Sequence, residues 1–431
     1  MDPLAANGLI PGDPAYYHTL AFDLADRIKQ EGWNAWSLRP SGQGIAGITA
    51  ALYVIIIPKP WMIIPLNAFL HALASVALIA IINRFFPLRL AVIASLLFIL
   101  SPYEMHWFSQ LNKDSFVAAG FYVFVYGWLL ALRHPDNGKE SSFWPGLLLV
   151  AIGTVLMAIV RPFLVAILWT VNVVTVGAII IRIFRGLRRG VHLTMKSAIL
   201  RGTAALAIIF PMLLMTRGAA SDSFLATRGS DLTETSQLPA WEKTEWMPLA
   251  IDRKLLAMAR LRDVYRSLES SENNPTTREM RIDSTRTFQS AHDFLTYIPR
   301  ALQIALFAPF PKDWIIFYKT KTQSVFRIFV TGEMIIAYLA FFALVSGCVV
   351  CRARVELFIP LAYAVAALIM YGLATPFIGT LYRYRYSFFM LPVALGIAFG
   401  LQFWTKRSER SPNPDSAVAP HPTLPLEGGG R

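Results

Sequence analysis

Nine stretches of this chain are apolar enough, and long enough or nearly so, to cross a bilayer: 62–83, 89–104, 115–132, 144–160, 163–183, 199–216, 331–350, 356–374 and 387–404. A hydrocarbon core about 30 Å thick asks for roughly 20 apolar residues per helix, and shorter runs suffice where neighbouring helices bury them. In that medium every backbone polar group must be satisfied within its own element, which leaves helices for segments of this pattern. The expected fold is therefore an all-α polytopic membrane protein. With 55% hydrophobic and 16% charged residues, the chain does not read as a soluble or a disordered domain.

The formal charge of +13 resides largely in short loops. There basic residues set orientation, and no nucleic-acid motif accompanies them, so nucleic acid is not an expected partner. Arg84 and Arg89, Arg133 and Lys139, Arg182 to Lys196, Arg352 and Arg354, and Lys406 to Arg410 all fall on one side, which is then cytoplasmic. This threading places 1–61 outside, followed by membrane helices in 62–216. Residues 217–330 become an extracytoplasmic helical lobe, 331–404 return to the membrane, and 405–431 form a disordered cytoplasmic tail. The stretch 45–58 is too short to span, and Lys59-Pro60 joins it tightly to the next segment, so it reads as an interfacial helix. Residues 1–44 would lie outside with no apolar segment ahead of them, so either this weakly acidic tail is translocated without help or, the favoured reading, a tenth, N-terminal helix lies upstream. Cys348 and Cys351 lack two further zinc ligands nearby and read as small apolar residues.

Three polar clusters emerge on the outer side in this threading: Gly12 to Tyr17, Asn112 to Asp114 and Tyr382 to Tyr386. Asp13 before Pro14 is either a helix start or a general base at the mouth of a cavity, where partial shielding strengthens a carboxylate toward a hydroxyl. Asp114 is a helix cap or an acid, and Glu104 is a second acidic candidate, or else pairs with a neighbouring base. His106 is a lesser candidate. Lys113 has less structural reason to be there, and an anion nearby would supply one. Arg161 interrupts two apolar runs, which is costly unless it snorkels or faces water or an anion. Arg383 and Arg385 alternate with tyrosines, as an aromatic belt would, and two guanidiniums can also hold a phosphate bidentately. Lys312 and Asp313 are weaker members of the set.

Taken in order, GDPAYY, NAFLHALASVALIAIINRFF, SPYEMHWFSQLNKDSF, RPFL and LYRYRYSFFMLPVALGIAFG resemble the GT-C superfamily of polytopic glycosyltransferases. The branch they resemble includes bacterial relatives of protein O-mannosyltransferases and lipid A aminoarabinose transferases. The resemblance implies a sugar on a polyprenyl-phosphate donor, transferred with inversion to a lipid, glycan or protein hydroxyl at the outer face of a bacterial inner membrane. It makes Asp13 the base, with Lys113, Arg161, Arg383 and Arg385 offsetting charge on the departing phosphate. Where many relatives carry two consecutive acids this chain has Asp13-Pro14, so no cofactor is indicated and a divalent metal is left open. Two other readings stay in view. A polymerase or ligase of lipid-linked polysaccharide would not need the N-terminal acid. A flippase or transporter would bring broken helices, internal repeats and midplane charge pairs.

Overall fold

The computed structural model describes residues 8–10, 12–132, 142–188, 202–203, 241–268, 281–283, 285–314, 321–350 and 355–410. The expected span 199–216 and the tail after Arg410 lie almost wholly or wholly outside these residues, as do Cys351 and most of the first part of the expected lobe. The described residues are helical apart from loops and isolated bridges. Among the described residues six helices are long and apolar enough to cross a membrane, or seven if a bent pair is counted as one span, which is what makes this a multi-pass membrane protein. Of the other three expected spans, 89–104 is divided where Leu88–Leu100 and Pro102–Phe108 meet at a 59° bend, 163–183 lies within the helix Pro162–Arg188 but is only partly covered by the described side chains, and 199–216 lies almost wholly outside the described residues.

In chain order we label the helices α1 (Asp13–Glu31), α2 (Gly44–Ile55), α3 (Ile64–Asn83), α4 (Leu88–Leu100), α5 (Pro102–Phe108), α6 (Asp114–Ala131) and α7 (Phe143–Val160). The remainder are α8 (Pro162–Arg188), α9 (Leu249–Leu268), α10 (Ala291–Phe307), α11 (Lys321–Val350), α12 (Val355–Ala374) and α13 (Ile378–Arg410).

Helix α6 is apolar on every face and is buried almost all round, as a central helix must be. Its neighbour α7 approaches through paired glycines, Gly120 with Gly153 and Gly127 with Gly146. Such small residues let helix backbones touch where lipid offers no hydrophobic drive for association. A Cβ at Gly153 would lie 2.6 Å from the Phe124 backbone nitrogen. Gly153→Val is therefore expected to destabilise the protein by about 1–3 kcal/mol, read as a lower midpoint of detergent-driven unfolding. Gly177→Val, where nothing lies within 4 Å of the added carbon, is the control.

Helix α1 starts at Asp13-Pro14, with proline in the first turn, and ends at Gly32, whose φ of 85° suits glycine. Its buried stripe of Ala21, Leu24, Ala25 and Ile28 packs on Ala46, Ala50 and Tyr53 of α2. Helix α2 in turn abuts α7, because a Cβ at Gly44 would strike the Ile159 carbonyl. This chain of contacts carries Asp13 to the end of the bundle where Arg161 sits.

The two ends of the bundle are distinct. At one, Asn67 near the start of α3 donates to the carbonyls of Phe108 and Gln110 at 2.9 Å each and accepts from Ser115 at 2.7 Å. At the other end of the same helix, Arg84 lies 3.9 Å from Glu356 at the start of α12.

The described part of the expected lobe packs onto the bundle through α10, with Ala301 and Ile304 buried and a Cβ at Gly372 of α12 blocked by the Ala301 carbonyl. One expectation needs correction. The Tyr382 cluster is not a loop ahead of the last span, because α13 already begins at Ile378. Helical continuation through Tyr382–Tyr386 decides which way each arginine points.

Candidate functional site

Four segments far apart in sequence bring their charged side chains together at one end of the bundle. Asp114 opens α6 and is buried. Its Oδ1 accepts from Arg161 at 2.8 Å, and its Oδ2 accepts from Arg383 Nε at 2.6 Å. Arg383 also donates to Asn112 Oδ1 at 2.8 Å and lies 3.5 Å from Asp13 Oδ2. Arg161, held at the break between α7 and α8 by Pro162, donates to the Tyr371 hydroxyl at 2.9 Å. Tyr384 closes the ring: its hydroxyl donates to Asp13 Oδ2 at 3.4 Å, and the Arg161 guanidinium stacks 4.3 Å from its ring centroid. Arg383 stacks on Trp107 at 4.4 Å.

Asp13 differs from Asp114 in exposure. The Asp13 side chain retains 34% of its accessible surface, whereas that of Asp114 retains 4%. Each Asp114 oxygen accepts from one guanidinium, so Asp114 orients the two arginines, and its burial keeps it from a molecule's reach. Asp13, at the rim, is the carboxylate a molecule can reach.

Lys113 adds a third cation. Its ammonium donates to Gln43 Oε1 and sits 4.9 Å from the Tyr17 ring centroid, with no carboxylate in ion-pair range among the described residues. Burial, reinforced by the Arg161 charge, pushes it down to about 7, with Asp13 and Asp114 pulling the other way. Burial also raises the Tyr17 phenol well above its ordinary value, and Asp13 adds to the effect, so Tyr17 is neutral here. Three cations converge on two carboxylates, which leaves the cluster one positive charge in excess when Lys113 is protonated.

Arg385 does not join this group. Two residues along a helix turn a side chain by about 200°, so Arg383 and Arg385 leave α13 on opposite faces. Arg385 is fully buried and donates to the backbone carbonyls of Ile304, Ala305 and Ala308, where it caps the end of α10. Glu104 is likewise apart from the rim, buried at 1% exposure on α5. Asp313 is buried and receives the Phe310 amide at 3.2 Å as a local cap. His106 lies half-buried beside Trp107.

The sequence offered no signal for Tyr371 or Gln43, single polar residues within apolar or glycine-rich contexts. Tyr384 was visible only as part of the Tyr/Arg alternation, and Trp107 only within its loop. Among the described residues, no group of three or more His, Cys, Asp or Glu side chains is placed to hold a metal ion. Comparisons of the chain with protein-family models, curated proteins and solved structures return no significant match.

Proposed function

We propose that this chain is a membrane glycosyltransferase that moves a sugar from a polyprenyl-phosphate donor to an acceptor hydroxyl, with inversion, at the extracytoplasmic face of a bacterial inner membrane. The observation that carries the reading is the 3.5 Å approach of Asp13 to Arg383, 370 positions apart, inside a cluster with excess positive charge. A reachable carboxylate beside oriented cations, at a helix-end boundary, suits displacement of a lipid-linked phosphate from a sugar's anomeric carbon. The acceptor oxygen attacks the sugar's anomeric carbon while Asp13 takes its proton. The bond from that carbon to the phosphate oxygen breaks, and its electron pair stays with the lipid phosphate. Lys113, Arg161 and Arg383 lower the barrier because the phosphate gains charge as it leaves, and they bind the product-like state more strongly than the starting one.

The test supplies the purified protein in lipid vesicles with a panel of labelled polyprenyl-phosphate sugars and compares the parent with Asp13→Asn. Transfer by the parent that disappears in the variant is the expected result. Equal turnover in both removes the base assignment, and no transfer from any donor removes the reading.

Lys113 carries a pH prediction. Below about 7 it is an ammonium and attracts an anion, and above that value it is neutral, so affinity for a polyprenyl phosphate is expected to fall as pH rises. Where only the charged form binds, the loss approaches tenfold per pH unit. Lys113→Arg, which keeps its charge, should remove this part of the dependence in titrations followed by calorimetry.

A further inference from the structure

Among the described residues, Glu104 alone has both carboxylate oxygens buried with no hydrogen-bond partner. The nearby guanidiniums do not serve it, since Arg383 donates to Asp114 and Asn112 and Arg161 to Asp114 and Tyr371. Glu333, carried in by α11, is 5% exposed; one of its oxygens accepts from the Tyr382 hydroxyl and the other is unpartnered. The Tyr122 hydroxyl of α6 is buried without a partner as well. These unmet oxygens gather where the α4–α5 bend breaks the span.

The titratable groups around α5 come from every element packed on it. Helix α3 contributes His71, α6 contributes Asp114 and Tyr122, α11 contributes Glu333, and α13 contributes Tyr382, Arg383 and Tyr386. Tyr103 is adjacent, and Arg161 acts from the α7–α8 break. Among the charges acting on Glu104, Asp114 and Glu333 repel its anion while Arg383 and Arg161 attract it.

An ionised carboxylate in this position would forgo hydration with no direct partner in return, whereas the neutral acid forgoes only a hydrogen bond. Ionisable groups within membrane helices are functional sites by default, and proton carriage is among their commonest uses. We infer that Glu104, with Glu333 within electrostatic reach, is a proton-binding site, and that its occupancy sets the sign of the field behind the arginines. With both glutamates ionised, Asp13, Asp114, Glu104 and Glu333 outnumber Arg161, Arg383 and a protonated Lys113 by one; with both neutral, the three cations outnumber Asp13 and Asp114 by one. Protonation thus keeps the cluster net positive and able to draw a phosphate. This second part rests on the proposed anion site; the proton site itself does not.

The experiment takes the full chain, purified in vesicles and labelled with isotopic glutamate, and records its infrared spectrum at neutral pH. A protonated-carboxyl stretching band that shifts in heavy water and is absent from Glu104→Gln is the expected result. If the difference between the two proteins is instead a carboxylate band, Glu104 is ionised and the inference is overturned. Should the variant fail to fold, the labelled parent still decides, because a spectrum without any buried carboxyl band overturns it equally.

The field is tested with a short polyprenyl phosphate in the Lys113→Arg background, which removes the lysine titration. Affinity there should fall at least tenfold as the carboxyl band is titrated away, and stay level in Lys113→Arg/Glu104→Gln. The same fall in both variants overturns the field effect. A carboxyl band together with no binding by any variant at any pH leaves the proton site standing and defeats the anion reading.

Discussion

Asp114→Ala should be the most damaging single substitution at this end of the bundle, with a stability loss of about 3–5 kcal/mol. Asp114 is the common acceptor of Arg161 and Arg383, at 2.8 and 2.6 Å, and it is 3% exposed. Removing it leaves two buried guanidiniums facing each other across the space it filled, each with part of its donor set unmade. The cost comes from those stranded charges more than from any attraction the intact group supplied, because buried ion pairs gain little over a well-packed apolar substitute. Asp114→Asn keeps the volume and one acceptor, so it should lie between parent and Ala. Unfolding midpoints for the three proteins in one detergent give the order, and an Ala variant as stable as the parent would show that the arginines find other acceptors. Loss of anion binding should accompany loss of stability, since the arginines are aimed through this carboxylate.

Asp13→Asn should separate function from folding. The side chain lies at the rim, with 34% of its surface accessible, and its two contacts are loose at 3.5 and 3.4 Å. The amide keeps the shape and an acceptor oxygen but gives up the charge facing Arg383, so stability should fall by no more than about 1 kcal/mol, as for a partly exposed ion pair. What it loses is the capacity to accept a proton, and general-base catalysis contributes about 10²–10⁴ in rate. A fall of that size in transfer, at a nearly unchanged unfolding midpoint and unchanged donor affinity, is the expected pattern. A fall in donor affinity alone would move Asp13 from proton transfer to placing the donor through Arg383 and Tyr384.

How far each feature could be read in advance follows from how local its cause is. Apolar runs reported the helices of α3, α6, α7, α11, α12 and α13 because burial in hydrocarbon depends on the composition of a single stretch. Lys113 and Arg161 stood out for a similar reason, since a charge beside an apolar run is expensive wherever the chain goes next, whereas Asp13 stood out in a helix-start pattern and Arg383 in an alternation with tyrosines. The bend at Ser101 was hidden inside what looked like one continuous span, since Pro102 also suits an ordinary helix start. That α10 meets α12 through Ala301 and Gly372 was not legible, because a close approach of two backbones depends on small residues that carry no signal of their partner.

The sequence by itself determined that this chain is helical, that it crosses a membrane several times, and which charged residues need an explanation. Only the tertiary structure decided their company. Arg383 and Arg385 look interchangeable in the linear pattern, yet a helix turns them apart, one toward Asp13 and Asp114 and the other into the carbonyl end of α10. Asp13 and Asp114 look like two equivalent acids, yet one is left at the rim and the other is enclosed by two guanidiniums. The physical reason is that a residue's need for a partner is written in its own chemistry, whereas the partner that meets the need is chosen by helix packing across hundreds of positions.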